Sequence, residues 1–253
     1  MGMRQIIAIL NQKGGVGKTT STINISAYLA KMGRSVLIVD LDPQGNATSG
    51  LGVMANSVVT TYDVLINNQL LSGAIINTDN SDISIVPANS ELAGAEIELV
   101  NQVDREQKLK NALARADYDY ILIDCPPSLG LLSINALTAA DSVLIPVQAE
   151  YYALEGLTQL LGTIQRVRDG LNPNLSLLGV AVTMYDSRTS LSENVYKELK
   201  KHFGQKLFNT VIPRNVRLAE APSYGKSILA HDKWSRGARA YKSLAKEIDK
   251  NVR

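Results

Sequence analysis

The chain has 253 residues, 45% of them hydrophobic and 20% charged, which is enough apolar material for one substantial core and excludes a disordered protein. No stretch approaches the roughly 18 consecutive apolar residues of a membrane span, and no apolar signal core stands near the N-terminus, so a cytoplasmic protein is expected. Net charge is only +2, and the single cysteine, Cys125, excludes a disulfide framework or a cysteine-built metal site within one subunit. Met1 and Gly2 open like a myristoylation signal, but Ile6 stands where that signal needs Ser or Thr.

In chain order, the first apolar run is RQIIAIL, suited to a buried strand, and it leads into NQKGGVGKTT. After this loop, Thr22, Ile23, Ala27, Tyr28 and Ala30 have helical spacing, with an end expected near Gly33. Strand, glycine-rich loop and helix together suggest a phosphate cradle over Lys13, Gly14, Gly15, Val16, Gly17, Lys18, Thr19 and Thr20. Glycines let backbone N–H groups turn toward phosphate oxygens. Lys18 would reach the β and γ phosphates, Thr19 would bind Mg²⁺, and the helix dipole would lie beneath them. The motif departs from G-x-x-x-x-G-K-[ST] at Gln12, and it carries an additional lysine, Lys13, for which the ordinary loop has no need.

Further apolar runs follow at SVLIVDLD, DISIVPA, YDYILIDCP, DSVLIPV, LSLLGVAVTM and KLFNTVIP, separated mostly by helical spacing. Near-continuous apolarity means that both faces of a strand are covered. The expected fold is therefore α/β, doubly wound, with a mostly parallel sheet and helices on both faces. No linker or repeat divides residues 1–253, which are read as one domain. Ligands in such folds bind beyond the carboxyl ends of the strands. Asp40 and Asp42 follow the second run, and Asp124 ends the fourth in the form of a Walker B acid that holds Mg²⁺ directly or through water. Asp42 is the better candidate for orienting an attacking water, with Asp40 as a brace for the turn.

Charge is unevenly spread. From Asp186 to Arg253 there are 15 Lys or Arg against 7 Asp or Glu. This asymmetry suits either a polyanion partner or simple solvation of exposed helices such as KELKKHF.

With KGGVGKTT, VDLDPQGNA and ILIDCPPS in this order, the chain resembles the deviant Walker A ATPases of the ParA and MinD superfamily, and within it the Soj/ParA partition ATPases. PVQAEYYALEGL at 146–157, VTMYDSRTSL at 182–191 and VIPRNVRLAEAPSYGKSI at 211–228 extend the likeness over nearly the whole chain. The resemblance implies a homodimer that sandwiches ATP, with Lys13 crossing to the other subunit's phosphates like an arginine finger. It implies ATP hydrolysis using Lys13, Lys18 and Asp42, Mg²⁺ served by Thr19, Asp42 and Asp124, and an adenine pocket at Met184, Pro213 and Asn215. It further implies non-specific binding of double-stranded DNA through Arg188 and Arg217, a nucleoid location, and slow hydrolysis stimulated by a ParB/Spo0J-type partner.

Only Met1 to Arg4 precede the first run, so no helix-turn-helix extension is expected. Two alternatives stay open. A MinD-like membrane-associated ATPase would use the C-terminal stretch ARAYKSLAKEIDKNVR, whose Tyr241, Leu244, Ala245 and Ile248 share a face, although such a stripe more often packs against a core. A metabolic electron carrier or ligase could share the scaffold, but Cys125 alone is too few for a four-iron cluster.

Overall fold

A computed structural model describes residues 4–56, 58–79, 83–150 and 154–252. Met1 and Gly2, and Tyr151 and Tyr152 of the 146–157 stretch, lie outside these. The strands are β1 (Gln5–Ile9), β2 (Val36–Asp40), β3 (Ile76–Asn77), β4 (Ile83–Val86), β5 (Tyr120–Asp124), β6 (Ser142–Gln148) and β7 (Ser176–Thr183). They form one sheet in the order β3-β4-β2-β5-β1-β6-β7, parallel throughout except for the β3–β4 edge pair.

Alternation along each strand divides the core into two halves. Ile6 and Ala8 of β1, Leu37 and Val39 of β2, and Ile121 and Ile123 of β5 face one side. Ile7 and Ile9, Val36 and Ile38, and Tyr120 and Leu122 face the other. All twelve are buried, so the sheet is covered by helices on both faces, as the runs of apolar residues predict. The first helix, Lys18–Lys31, is buried along most of its length and packs against the C-terminal helix Arg236–Val252. That second helix turns Tyr241, Leu244, Ala245 and Ile248 into the core, each at most 1% exposed. Its far end is fixed by the Arg34–Asp249 fork, at 3.1 and 2.9 Å, and by the Tyr120 hydroxyl donating to Asp249 at 2.8 Å.

Two sequence expectations are corrected. KLFNTVIP is not a continuous seventh parallel strand; beside β7 it forms the isolated bridge of Val180 with Leu207, and the Phe208 and Ile212 N–H groups donate to the Val180 and Val182 carbonyls at 2.9 and 2.8 Å. Between those two hydrogen bonds the ladder is interrupted: Asn209 and Thr210 donate to the Glu247 carboxylate at 3.1 and 3.0 Å, and Pro213 has no N–H to give. The second correction is β3, whose two residues are too short to leave a periodic signal.

The KLFNTVIP segment crosses directly over Gly179. A Cβ there would meet the Phe208 ring at 2.6 Å and the Lys206 carbonyl at 2.7 Å. Gly179→Ala is therefore expected to destabilise the protein by about 1–3 kcal/mol through overpacking. Urea unfolding monitored by far-UV circular dichroism measures this, and an unchanged midpoint would mean that residues 206–208 yield freely.

Candidate functional site

The loop between β1 and the first helix is held from three sides. Asn11 donates to the Pro146 carbonyl at 2.7 Å and accepts from the Lys13 N–H at 3.0 Å, anchoring the loop entrance to β6. The Thr183 hydroxyl, at the end of β7, donates to the Val16 carbonyl at 2.7 Å. Gly15 and Gly17 take left-handed φ values of 73° and 89°, which turn the backbone into the first helix. Gly14 differs: a Cβ added there would have nothing within 4 Å.

The two lysines point to different places. Lys18 is 7% exposed, and its ammonium folds back over the loop to the Lys13 carbonyl at 3.2 Å. Burial lowers its pKa, opposed chiefly by the neighbouring acid Asp124 and, less, by Asp42. Lys13 is exposed and pairs at 2.7 Å with Glu150, which follows β6. Thr19 and Thr20 open the helix and are half-buried.

Parallel pairing of β2 with β5 sets Asp40 beside Asp124 at the carboxyl ends of the two strands. Both are fully buried, and burial, reinforced by their mutual repulsion and by Asp42, raises both pKa values. Their hydrogen bonding separates them. Asp40 is taken up by the turn: one oxygen accepts from the Thr48 N–H and hydroxyl at 2.9 and 2.7 Å, and the other from the Asp42 N–H at 3.2 Å. Asp124 accepts from the Thr22 hydroxyl at 3.0 Å on Oδ1, whereas its Oδ2 is buried with no hydrogen bond. Asp42 keeps one contact, accepting the Gln44 N–H at 3.0 Å.

A buried, unpaired carboxylate oxygen beside a helix N-terminus is a costly arrangement that a cation relieves. With the Thr19 hydroxyl it offers hard oxygen donors of the kind Mg²⁺ prefers, and the metal's other oxygens would come from phosphate and water. Among the described residues no cluster of three or more His, Cys, Asp or Glu could cage an ion unaided. Cys125, next in sequence, is buried with its thiol pKa pushed up by desolvation, which leaves it inert.

Met184, Pro213 and Asn215 come together with Gly17 and Thr20 around a cavity of about 340 Å³ beside the loop. Met184 is held at a left-handed φ of 51°. Hydrogen bonds from the Tyr185 N–H to Ile212 O at 3.0 Å and from the Arg214 N–H to Tyr185 O at 3.1 Å lock its segment to the one after Ile212. The Asn215 side-chain oxygen is buried without a partner. Two larger cavities, of about 590 and 410 Å³, are lined by residues such as Asp141 and Lys206, or Leu129 and Arg166. Neither includes a loop residue, so the smaller one is the candidate site.

Arg188 and Arg217 do not line this cavity. Arg188 is 85% exposed and forms a fork with Asp186 at 2.9 and 2.7 Å. Arg217 pairs with Glu220 at 2.9 Å and approaches Asp232 at 3.7 Å. Sequence reasoning missed Glu150, Asp186, Thr22 and Thr183. Thr22 stands one helical turn after Lys18, a spacing that could have marked it; the other three lie in stretches already noted for their likeness to a family, with no local pattern to single them out.

An AAA-domain family model matches residues 4–177. The sporulation initiation inhibitor protein Soj of Bacillus subtilis is 56% identical over 98% of this chain and 100% of its own length. The chromosome partitioning protein ParA of Caulobacter vibrioides is 50% identical, covering 96% of this chain and 93% of its own. Among solved structures, cobyrinic acid a,c-diamide synthase from Mycobacterium smegmatis with bound ADP and magnesium superposes with a TM-score of 0.85 at 41% identity, over 96% of this chain and 93% of that one. A loop with one lysine turned in and one turned out, two strand-end acids and these full-length likenesses place the chain in the Soj/ParA family of chromosome-partitioning ATPases.

Proposed function

We propose that the chain is a single-domain, ATP-driven partition switch. Two copies close around ATP, the closed dimer binds double-stranded DNA without sequence preference, and a ParB/Spo0J-type partner stimulates hydrolysis to ADP and phosphate, which releases it. The observation that carries this reading is the opposed placement of Lys18 and Lys13 on one loop. Lys18, buried and partly stripped of water, suits the β and γ phosphates of the nucleotide in its own subunit. Lys13, exposed and held only by a surface pair to Glu150, can leave that pair at little cost and reach a second subunit. A cation delivered in this way makes charge stabilisation depend on assembly.

Within each subunit, the N–H groups of Gly14 to Thr20 would wrap the phosphates, and the cavity at Met184, Pro213 and Asn215 would take adenine. The unpaired Asn215 oxygen suits the exocyclic amine of that base. Thr19 and Asp124 would hold Mg²⁺, directly or through water, and the ion would neutralise developing phosphate charge. Asp42, on the loop after β2 with Asp40 bracing the turn behind it, is suited to orient the attacking water and to assist at the metal. Arg188 and Arg217 are assigned to DNA phosphates, with a nucleoid location as the consequence.

The membrane alternative loses its anchor, since the stripe Tyr241, Leu244, Ala245 and Ile248 is already buried against the sheet. Among the described residues no helix is long and apolar enough to cross a membrane. The diamide synthase activity named for one solved neighbour belongs to that protein.

Binding of a random-sequence duplex by Asp42→Ala with ATP, with ADP and with no nucleotide, at two salt concentrations, tests the switch. Binding only with ATP and falling steeply with salt is expected; equal binding in all three states would sink the reading. The same variant should hydrolyse ATP about a hundredfold or more slowly than the parent, measured as phosphate release, and a normal rate would remove Asp42 from the chemistry. Lys18→Ala should abolish every nucleotide-dependent change, checked by ATP binding in equilibrium dialysis.

A further inference from the structure

The geometry points to Asp186 as an internal competitor of DNA phosphate: its carboxylate occupies the guanidinium fork of Arg188, and so sets both the strength and the salt dependence of DNA binding. This rests on the assignment of Arg188 to DNA made above. Arg188 presents its Nε and one terminal nitrogen to the two Asp186 oxygens at 2.9 and 2.7 Å, the same bidentate arrangement by which a guanidinium takes a phosphate. One fork cannot hold both anions.

Asp186 is not free to swing away. Its N–H donates to the Ser192 hydroxyl at 3.2 Å, and its carbonyl accepts from the Thr189 N–H and hydroxyl, both at 3.1 Å. These contacts tie its backbone to the start of the helix Ser190–Phe203. The Arg188 N–H also donates to Asp186 Oδ1 at 3.0 Å, closing a tight turn. The acid is therefore fixed, while Arg188, 85% exposed on a long flexible stem, is the partner that must move. Removing the carboxylate charge while keeping the turn should release one cation to the solvent face.

A second arginine feels the same charge. Arg214, which lines the candidate nucleotide cavity, adds to the stabilisation of the Asp186 carboxylate. Asp186 thus sits between a residue of the nucleotide cavity and a residue of the proposed DNA face, two positions beyond the strained Met184.

Asp186→Asn tests this, because the amide oxygen still accepts the Arg188 N–H and preserves the turn. Binding of a random-sequence duplex is measured for the parent, Asp186→Asn, Arg188→Ala and the double variant, with ATP and with ADP, across a salt series. Asp186→Asn should bind about two- to fivefold more tightly at low salt, the worth of one exposed ion pair. Its log–log salt slope should steepen by about 0.9, one further phosphate neutralised. The gain should vanish in the Arg188→Ala background. Unchanged affinity and slope in Asp186→Asn, or an equal gain with Arg188 already removed, would overturn the competition. If Arg188→Ala alone binds as the parent does, the assignment of that arginine to DNA fails, a separate result that the same titrations distinguish.

Discussion

Burying a carboxylate without a counter-charge costs several kcal/mol, and this protein does so at the tips of two neighbouring strands. Parallel register places Asp40 and Asp124 side by side beneath the glycine-rich loop, where solvent does not reach either one. The apolar residues that make β2 and β5 stable strands are the same ones that deny these acids water. Asp40 recovers part of the loss through three hydrogen bonds, from the Thr48 N–H and hydroxyl and from the Asp42 N–H. Asp124 recovers less and leaves one oxygen unsatisfied. Together with a desolvated Lys18, the centre carries charges that are mutually incomplete, a state suited to receiving a polyanion and a divalent cation together.

The loop is also mechanically joined to the far side of the sheet. Thr183 hydrogen-bonds to Val16 at one end, and the next residue, Met184, lines the cavity beside the loop. From there, two backbone hydrogen bonds lead to the segment carrying Pro213 and Asn215. The glycine-rich loop and the cavity wall are therefore joined through hydrogen-bonded backbone resting on β1, β6 and β7.

Much of this was legible in the sequence, for a definite reason. Strands buried on both faces must be apolar at almost every position, so β1, β2, β4, β5, β6 and β7 announce themselves as runs. The residues that follow them are then singled out by the geometry of a parallel sheet, which is how Asp42 and Asp124 could be named before any coordinates, whereas Met184 comes from the resemblance to a family. What stayed hidden depends on contacts distant in the chain. Nothing near Asn209 reveals that Glu247, 38 residues on, will take its N–H, and so KLFNTVIP reads as a strand. Glu150 is an ordinary surface acid until the fold sets Lys13, far away in the chain, beside it. The preference for Asp42 over Asp40 rests on position alone, and the oxygens the turn has already used on Asp40 supply its physical reason.

Gly14 illustrates a different kind of constraint. Gly15 and Gly17 are required by their own backbone angles, and Gly179 by the chain crossing above it, so each is fixed by the folding of one subunit. At Gly14 a methyl group would stand in open space, and the isolated subunit places no steric demand on the position. Selection for glycine there could act only through something that arrives from outside. The position therefore separates two properties that most core residues confound: a methyl group at Gly14 meets nothing in the subunit itself, so its effect would come from what binds at the loop and not from the fold.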